Sequence, residues 1–374
     1  MRHGAAASGV IILMICSGAA AGIGPGANTR IDSIAAAAVN SGRAAGIVVG
    51  VIAGGDQRIY AHGETVRGSG LTPDGATIFE LGSITKTFTA TLLALYARQG
   101  IVRLDDPLQN YVPPGITVPV WDDRQITLLD LATHTAGLPK DPPLFGIRHL
   151  SDRRMYQLLD GYQLKRPPGQ QFEYSNWGFA LLAHALTRAA GSRYYQPLVE
   201  RDICLPLGMT DTRVELTPAE IPRRAQGYRK DGFLARFEMP TWPAFNGAGA
   251  LRSTMNDMLR YLAFNMGLTS SGLASLLPTL QRRWHPTMRA GGYVGLAWQM
   301  MPLRGTGLTV IWKDGGTLGF SSFIAFVRET GTGVVVLVNQ SFPAARVALP
   351  IIRILNRQPE QAAPEEGGFE TPQP

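Results

Sequence analysis

Apolar residues recur along this chain with two different spacings, and the change from one to the other divides it into three stretches. Residues 31–39 repeat apolar and alanine positions at helical spacing until Gly42 stops them. Residues 47–52 form an unbroken β-rich run, Gly54, Gly55 and Asp56 turn it, and 57–62 reads as its hairpin partner. The middle of the chain is helical. A strong pattern begins near Ser83 and ends at Gly100. Residues 127–133 form a short helix that Thr127 is placed to cap, with Asp130 three residues on, and 176–190 is another helix, closed by Gly191. Strands return at 295–300, 308–312, 322–327 and 334–339, separated by glycine turns, and 343–355 closes the chain as a helix. Two N-terminal strands alone make no stable sheet. Strands at both ends with helices between them therefore predict an α/β (α+β) fold, one sheet closed by the two termini with a helical region inserted.

The two ends read differently. After Arg2 and His3, residues 5–21 run apolar and small, and Ala19, Ala20 and Ala21 supply the small residues a signal peptidase requires. The run is short for a membrane-spanning helix of about 20 residues. Residues 1–22 are therefore expected to be a signal peptide, the protein to be exported to the periplasm, and the mature chain to have no membrane span. Cys16 would suit a lipoprotein, but bulky Ile15 stands where a small residue should precede it. Residues 358–374, rich in proline and glutamate with little to bury, are expected to be a disordered tail, which leaves 23–357 as the folded unit.

The 374 residues are 45% hydrophobic and 17% charged, enough apolar material for a sizeable core. A net charge of +7 favours anionic surroundings. The basic residues are nevertheless scattered, and no zinc finger, basic helix or aromatic RNA-binding signature joins them, so no nucleic-acid partner is expected. The two cysteines, Cys16 and Cys204, are too few and too far apart for a disulfide framework or a cysteine metal site. The six histidines show no metal-ligand spacing, so no metal is expected.

Three short segments carry chemistry. The first is Ser83-Ile84-Thr85-Lys86, opening a helix, where a three-residue step sets Lys86 one turn above Ser83 on the same face. A serine hydroxyl is a weak nucleophile until a base or a favourable field takes its proton, and a helix N-terminus adds positive potential for a developing oxyanion. The second is Tyr174-Ser175-Asn176, again at a helix start. A phenol titrates near 10 in isolation, so Tyr174 can act as a base only beside cations, of which Lys86 is one. Asn176 offers an amide to a substrate carbonyl or to the lysine. The third is Lys313-Asp314-Gly315-Gly316, at the end of the predicted strand 308–312, where glycines let a substrate lie against the sheet edge and Lys313 supplies a second positive charge.

Serine-x-x-lysine, tyrosine-x-asparagine and lysine-x-glycine in this order resemble the penicillin-recognising serine hydrolases. Within that family the chain is similar to the class C β-lactamase branch and its D-alanyl-D-alanine carboxypeptidase/endopeptidase relatives of the AmpH type. The likeness includes LDDPL at 104–108, NYVPPG at 110–115, LATHTAGLP at 131–139, PPG at 167–169 and PLGM at 206–209, and spans roughly 30–355. It implies a β-lactamase/transpeptidase-like fold, an antiparallel sheet flanked by helices plus an all-helical lobe, with the site at their junction. By this resemblance Ser83 is the acylated nucleophile, Lys86 its proton partner and Tyr174 the base and later the acid. Asn176 positions the substrate and Lys313 assists the tyrosine and attracts an anionic substrate. Gly315 and Gly316 line the substrate-binding strand, with the oxyanion held by the backbone N–H groups of Ser83 and Gly316. The expected substrates are the D-alanyl-D-alanine stem peptides of peptidoglycan or β-lactams, with no organic cofactor.

One position departs from the family. Asp314 stands where threonine is frequent, and a carboxylate beside the docking place of a substrate carboxylate repels it by about 1 kcal/mol or more unless Lys313 neutralises it. That gives weight to an esterase of the same fold acting on small acyl esters. Peptidase, β-lactamase and esterase differ in the fate of the acyl-enzyme, which depends on where one water sits. A non-catalytic wall-binding protein is the remaining reading. His134 invites a serine–histidine–acid triad, but it lies in a helix-to-loop stretch that the family shares for structural reasons, and no Gly-x-Ser-x-Gly elbow accompanies it. Cys204 and His184 read as packed residues.

Overall fold

The computed structural model describes residues 22–143, 150–235 and 243–356. Residues 1–21 of the expected signal peptide and the whole expected tail at 358–374 lie outside them. The centre is an eight-stranded antiparallel sheet in the order Asp56–Gly63, Gly46–Ala53, Thr332–Val338, Ser321–Val327, Leu308–Gly316, Gln299–Leu303, Tyr293–Val294 and His285–Pro286. The two ends of the chain meet in this sheet. Ile47 opposes Val338 and Ala53 opposes Thr332, so the N-terminal hairpin is completed by the C-terminal strands as the pattern required.

Every residue of Gly46–Ala53 is buried, which explains its unbroken apolar run. Ile47, Val49, Val51 and Ala53 face a core shared with Ile31 and Ala35 of the helix Pro25–Asn40 and with Ile351 and Ile352 of the helix Ala345–Leu355. Val48 and Ile52 face the opposite, larger core, which continues through the helices Thr85–Arg98, Asn176–Ala189 and Met255–Met266. The sheet is thus sandwiched, with the helical lobe on one side.

The central helices stand where periodicity placed them. Thr127 and Asp130 form a reciprocal capping box on Leu128–Ala132. The helix Met255–Met266, capped by Thr254 accepting from the Asp257 amide, and Asp152–Asp160, capped by Ser151, were not foreseen. A short pair, Ile78–Glu80 with Arg252–Thr254, also escaped notice because three residues carry no readable alternation.

Two strand readings need correction. Residues 295–298 are not strand. Ala297 adopts a left-handed φ of 65° and its amide donates to the Ala132 carbonyl at 2.9 Å, so this apolar segment plugs into the helical lobe, and pairing starts at Gln299. The strand 308–312 instead runs on to Gly316. Lys313, Gly315 and Gly316 pair with Ile324, Ser322 and Ser321, so the lysine-x-glycine segment lies inside the ladder and not beyond it.

Candidate active site

The turn bearing Ser83 is held from both sides. The Leu81 amide donates to the Leu251 carbonyl at 2.9 Å, and the Ser322 hydroxyl donates to the Leu81 carbonyl at 2.7 Å. Residues Gly82–Ile84 form a 3₁₀ turn that feeds directly into Thr85–Arg98, which leaves Ser83 half-buried one turn below Lys86. Gly82 has φ 53°, and a Cβ there would lie 2.5 Å from the Gly316 amide nitrogen. The glycine therefore serves both a left-handed turn and the close approach of strand to turn. Gly315 is buried, and a Cβ on it would run into the Leu81 carbonyl and the Ser322 hydroxyl, so its local role is this approach. Gly316 is exposed beside the Ser83 turn, open to a ligand.

Lys86 is fully buried, and its ammonium has three acceptors. It donates to the Ala248 carbonyl at 2.6 Å, the Asn176 side-chain oxygen at 2.8 Å and Ser83 Oγ at 3.1 Å. Three acceptors match the three N–H bonds of an ammonium. The Tyr174 hydroxyl donates to Ser83 Oγ at 2.7 Å, and the Lys86 and Lys313 ammonium groups lie 5.1 and 5.3 Å from the centre of the Tyr174 ring. Lys313, 1% exposed, donates to the Asp314 carbonyl at 2.7 Å and its carboxylate at 2.8 Å. Asn176 does not cap its helix; Ser175 does, accepting from the Gly178 amide, which frees the Asn176 amide for Lys86 and the Asp141 carboxylate.

These groups tune one another. Burial alone would push the Tyr174 phenol up, but the nearby Lys86 and Lys313 charges, with the contact to Ser83, bring it below its ordinary value. Burial lowers Lys86 against the pull of Tyr174, with Lys313 adding to the lowering. Burial opposes the charge of Lys313 too, but Tyr174 and Asp314 outweigh it and hold the ammonium above its usual range. Asp314 resists its own burial through Lys313 and is held below the usual carboxylate range. Among the described residues, Asp314 is the one carboxylate ion-paired to either lysine. Two ammonium groups against one carboxylate leave an excess positive charge, which ionisation of Tyr174 neutralises. The arrangement can thus remove a proton from Ser83 and return one to a departing group.

The structure brings Ser83, Lys86, Tyr174, Asn176, Lys313 and Gly316 to one cleft and places Gly315 in the wall behind it. The sequence reading missed the Ala248 carbonyl, which the glycine-rich 247–249 segment could have signalled, and Asp141. His184 is packed, with the Tyr156 hydroxyl 3.2 Å from its Nδ1, and Cys204 is buried with its thiol pushed up by burial. Among the described residues, no group of three or more His, Cys, Asp or Glu is placed to hold a metal, and no helix is long and apolar enough to cross a membrane.

A serine whose hydroxyl meets a lysine and a tyrosine at the junction of an antiparallel sheet and a helical lobe is the arrangement expected of a serine hydrolase. Residues 31–357 match the beta-lactamase family model, and the chain belongs to that family. It is 33% identical over 314 residues to the D-alanyl-D-alanine-carboxypeptidase/endopeptidase AmpH of Escherichia coli K12, covering 78% of each chain. It is 29% identical over 340 residues to a beta-lactamase of Pseudomonas fluorescens, covering 80% of this chain and 90% of the relative. Among solved structures, the beta-lactamase/D-alanine carboxypeptidase of Yersinia pestis superposes with a TM-score of 0.73 at 27% identity, covering 88% of this chain and 98% of that one. The class C beta lactamase of Rhodobacter sphaeroides gives 0.75 at 26% identity, covering 87% and 98%.

Proposed function

We propose that this chain is an exported hydrolase that forms an acyl-enzyme on Ser83 with D-alanyl-D-alanine stem peptides of peptidoglycan and with β-lactams. One observation carries the reading: Ser83 Oγ lies 2.7 Å from the Tyr174 hydroxyl and 3.1 Å from the Lys86 ammonium. The Tyr174 phenolate takes the Ser83 proton as Oγ attacks the substrate carbonyl carbon. Amide groups of Ser83 and Gly316 receive the oxyanion, and Asn176 orients the substrate. The carbon–nitrogen bond then breaks, and the Tyr174 hydroxyl gives its proton to the leaving nitrogen. Water attacks the ester and frees Ser83. Export rests on the apolar segment 5–21 and its three alanines, and N-terminal sequencing of the periplasmic protein tests it.

Turnover of a cephalosporin, a D-alanyl-D-alanine peptide and a chromogenic ester, each against a Ser83→Ala blank, tests the substrate class. The peptide or the cephalosporin is expected to lead; hydrolysis of the ester alone would overturn the reading. The ester alternative draws on Asp314, whose half-exposed carboxylate already occupies Lys313. Asp314→Asn is expected to raise kcat/KM about fivefold to tenfold for carboxylate-bearing substrates, in line with a repulsion of about 1 kcal/mol, and to leave a neutral ester unchanged. Lys313→Met removes one of the two cations that lower Tyr174. Base action needs the phenolate, so activity rises as pH passes the phenol's pKa, and a higher pKa moves that limb upward. The acid limb of the kcat/KM profile is therefore expected at higher pH in this variant.

A further inference from the structure

His134 is a non-glycine residue in the left-handed region, at φ 59°, buried to 2% exposure, and no step above uses it. The His134 carbonyl accepts from the Glu173 amide at 2.7 Å, and its Nδ1 accepts from the Ser175 amide at 3.0 Å. The two residues flanking the tyrosine are thus both held by one histidine. The imidazole also lies 4.5 Å from the Tyr174 ring, tilted by 36°, with Phe179 at 4.8 Å and Phe172 at 5.6 Å closing the other sides. Because Nδ1 accepts, the proton sits on Nε2, which has no hydrogen-bond partner among the described residues.

We propose that His134, as the neutral Nε2–H tautomer, is the positioning residue that fixes Tyr174 between Ser83 and the two lysines. The role requires neutrality, since a protonated ring has no lone pair for the Ser175 amide and would set a third positive charge beside Lys86 and Lys313. Burial, then Lys86 and Lys313, hold His134 well below its ordinary value, which keeps the acceptor available at neutral pH. The charged or titratable groups facing the pair are Lys86, Lys313 and, through Lys313, Asp314; the Glu173 carboxylate is paired with Arg166. The proposal rests on Tyr174 being the base.

Two variants tolerate the left-handed backbone and separate the contacts. His134→Gly removes ring and acceptor without strain, whereas His134→Asn loses the ring but keeps an acceptor near the position of Nδ1. With rates counted per active site from the acyl-adduct amplitude, His134→Gly is expected to acylate about 100-fold more slowly, with its acid limb at higher pH. His134→Asn is expected to stay within a few-fold of the parent. Where His134→Gly fails to fold, His134→Asn carries the test alone: a loss of about 100-fold in it, with the acyl-adduct amplitude intact, would show that the Nδ1 acceptor is not what positions Tyr174. Parent rate and profile in His134→Gly, or equal losses in both variants, would overturn the proposal. A parallel Tyr174→Phe variant that still acylates at the parent rate would instead remove the base reading on which it rests.

Discussion

Lys86→Met is expected to fold with its melting temperature within a few degrees of the parent and to acylate about 10³- to 10⁴-fold more slowly. The side chain is fully buried, and methionine fills nearly the same volume. Two effects on stability oppose each other. The Ala248 carbonyl and the Asn176 oxygen lose a donor, at about 1–3 kcal/mol for each buried group left unpaired. An ammonium no longer has to be desolvated, which offsets a comparable amount. Activity has no such offset. Ser83 loses a contact, and Tyr174 loses the stronger of the two cations that lower its pKa, so the phenol ionises only at higher pH. Thermal melts beside single-turnover acylation rates check the expectation, and a large loss of stability would show that Lys86 is chiefly a structural group.

Gly315→Ala is expected to damage both stability and activity, whereas its neighbour is expected to tolerate the same change. A Cβ on Gly315 meets the Leu81 carbonyl and the Ser322 hydroxyl that donates to it, and neither can yield without moving the strand or the turn. Overpacking of this kind costs about 1–3 kcal/mol. Leu81 stands two residues before Ser83, so a shift is passed to the nucleophile, where a displacement near 1 Å costs about 10²-fold in rate. A Cβ on Gly316 meets only the Phe320 carbonyl, at 3.9 Å. Gly316→Ala should therefore melt with the parent. Equal melting temperatures for Gly315→Ala and the parent would show that the strand is free to move away from the turn.

How far the sequence could be read depended on the range of the forces involved. Two inner strands of the sheet were legible because Gly46–Ala53 and Thr332–Val338 are buried on both faces and read as unbroken apolar runs. The helix Leu128–Ala132 was legible because its capping box is local. Residues 295–298 were misread because an apolar segment buries equally well as a strand or as a plug, and contact with Ala132 decided between them. The strand end at Gly316 was missed because Lys313 and Asp314 look like a turn, until pairing with Ser321–Val327 and the cover provided by Tyr174 are known. Spacing revealed Ser83 and Lys86, one helical turn apart. It could not show that Ala248 and His134 complete their surroundings: the glycines at 247 and 249 allow a close backbone approach without saying to what, and a left-handed histidine looks like any other.

Intact-mass spectrometry of the protein mixed with a penicillin, followed by peptide mapping, tests the nucleophile most directly. The protein should gain the mass of one opened β-lactam, carried on the peptide containing Ser83, with no gain in Ser83→Ala. An adduct on another residue, or the same adduct in Ser83→Ala, would contradict the assignment of Ser83, Lys86 and Tyr174 to one reacting centre.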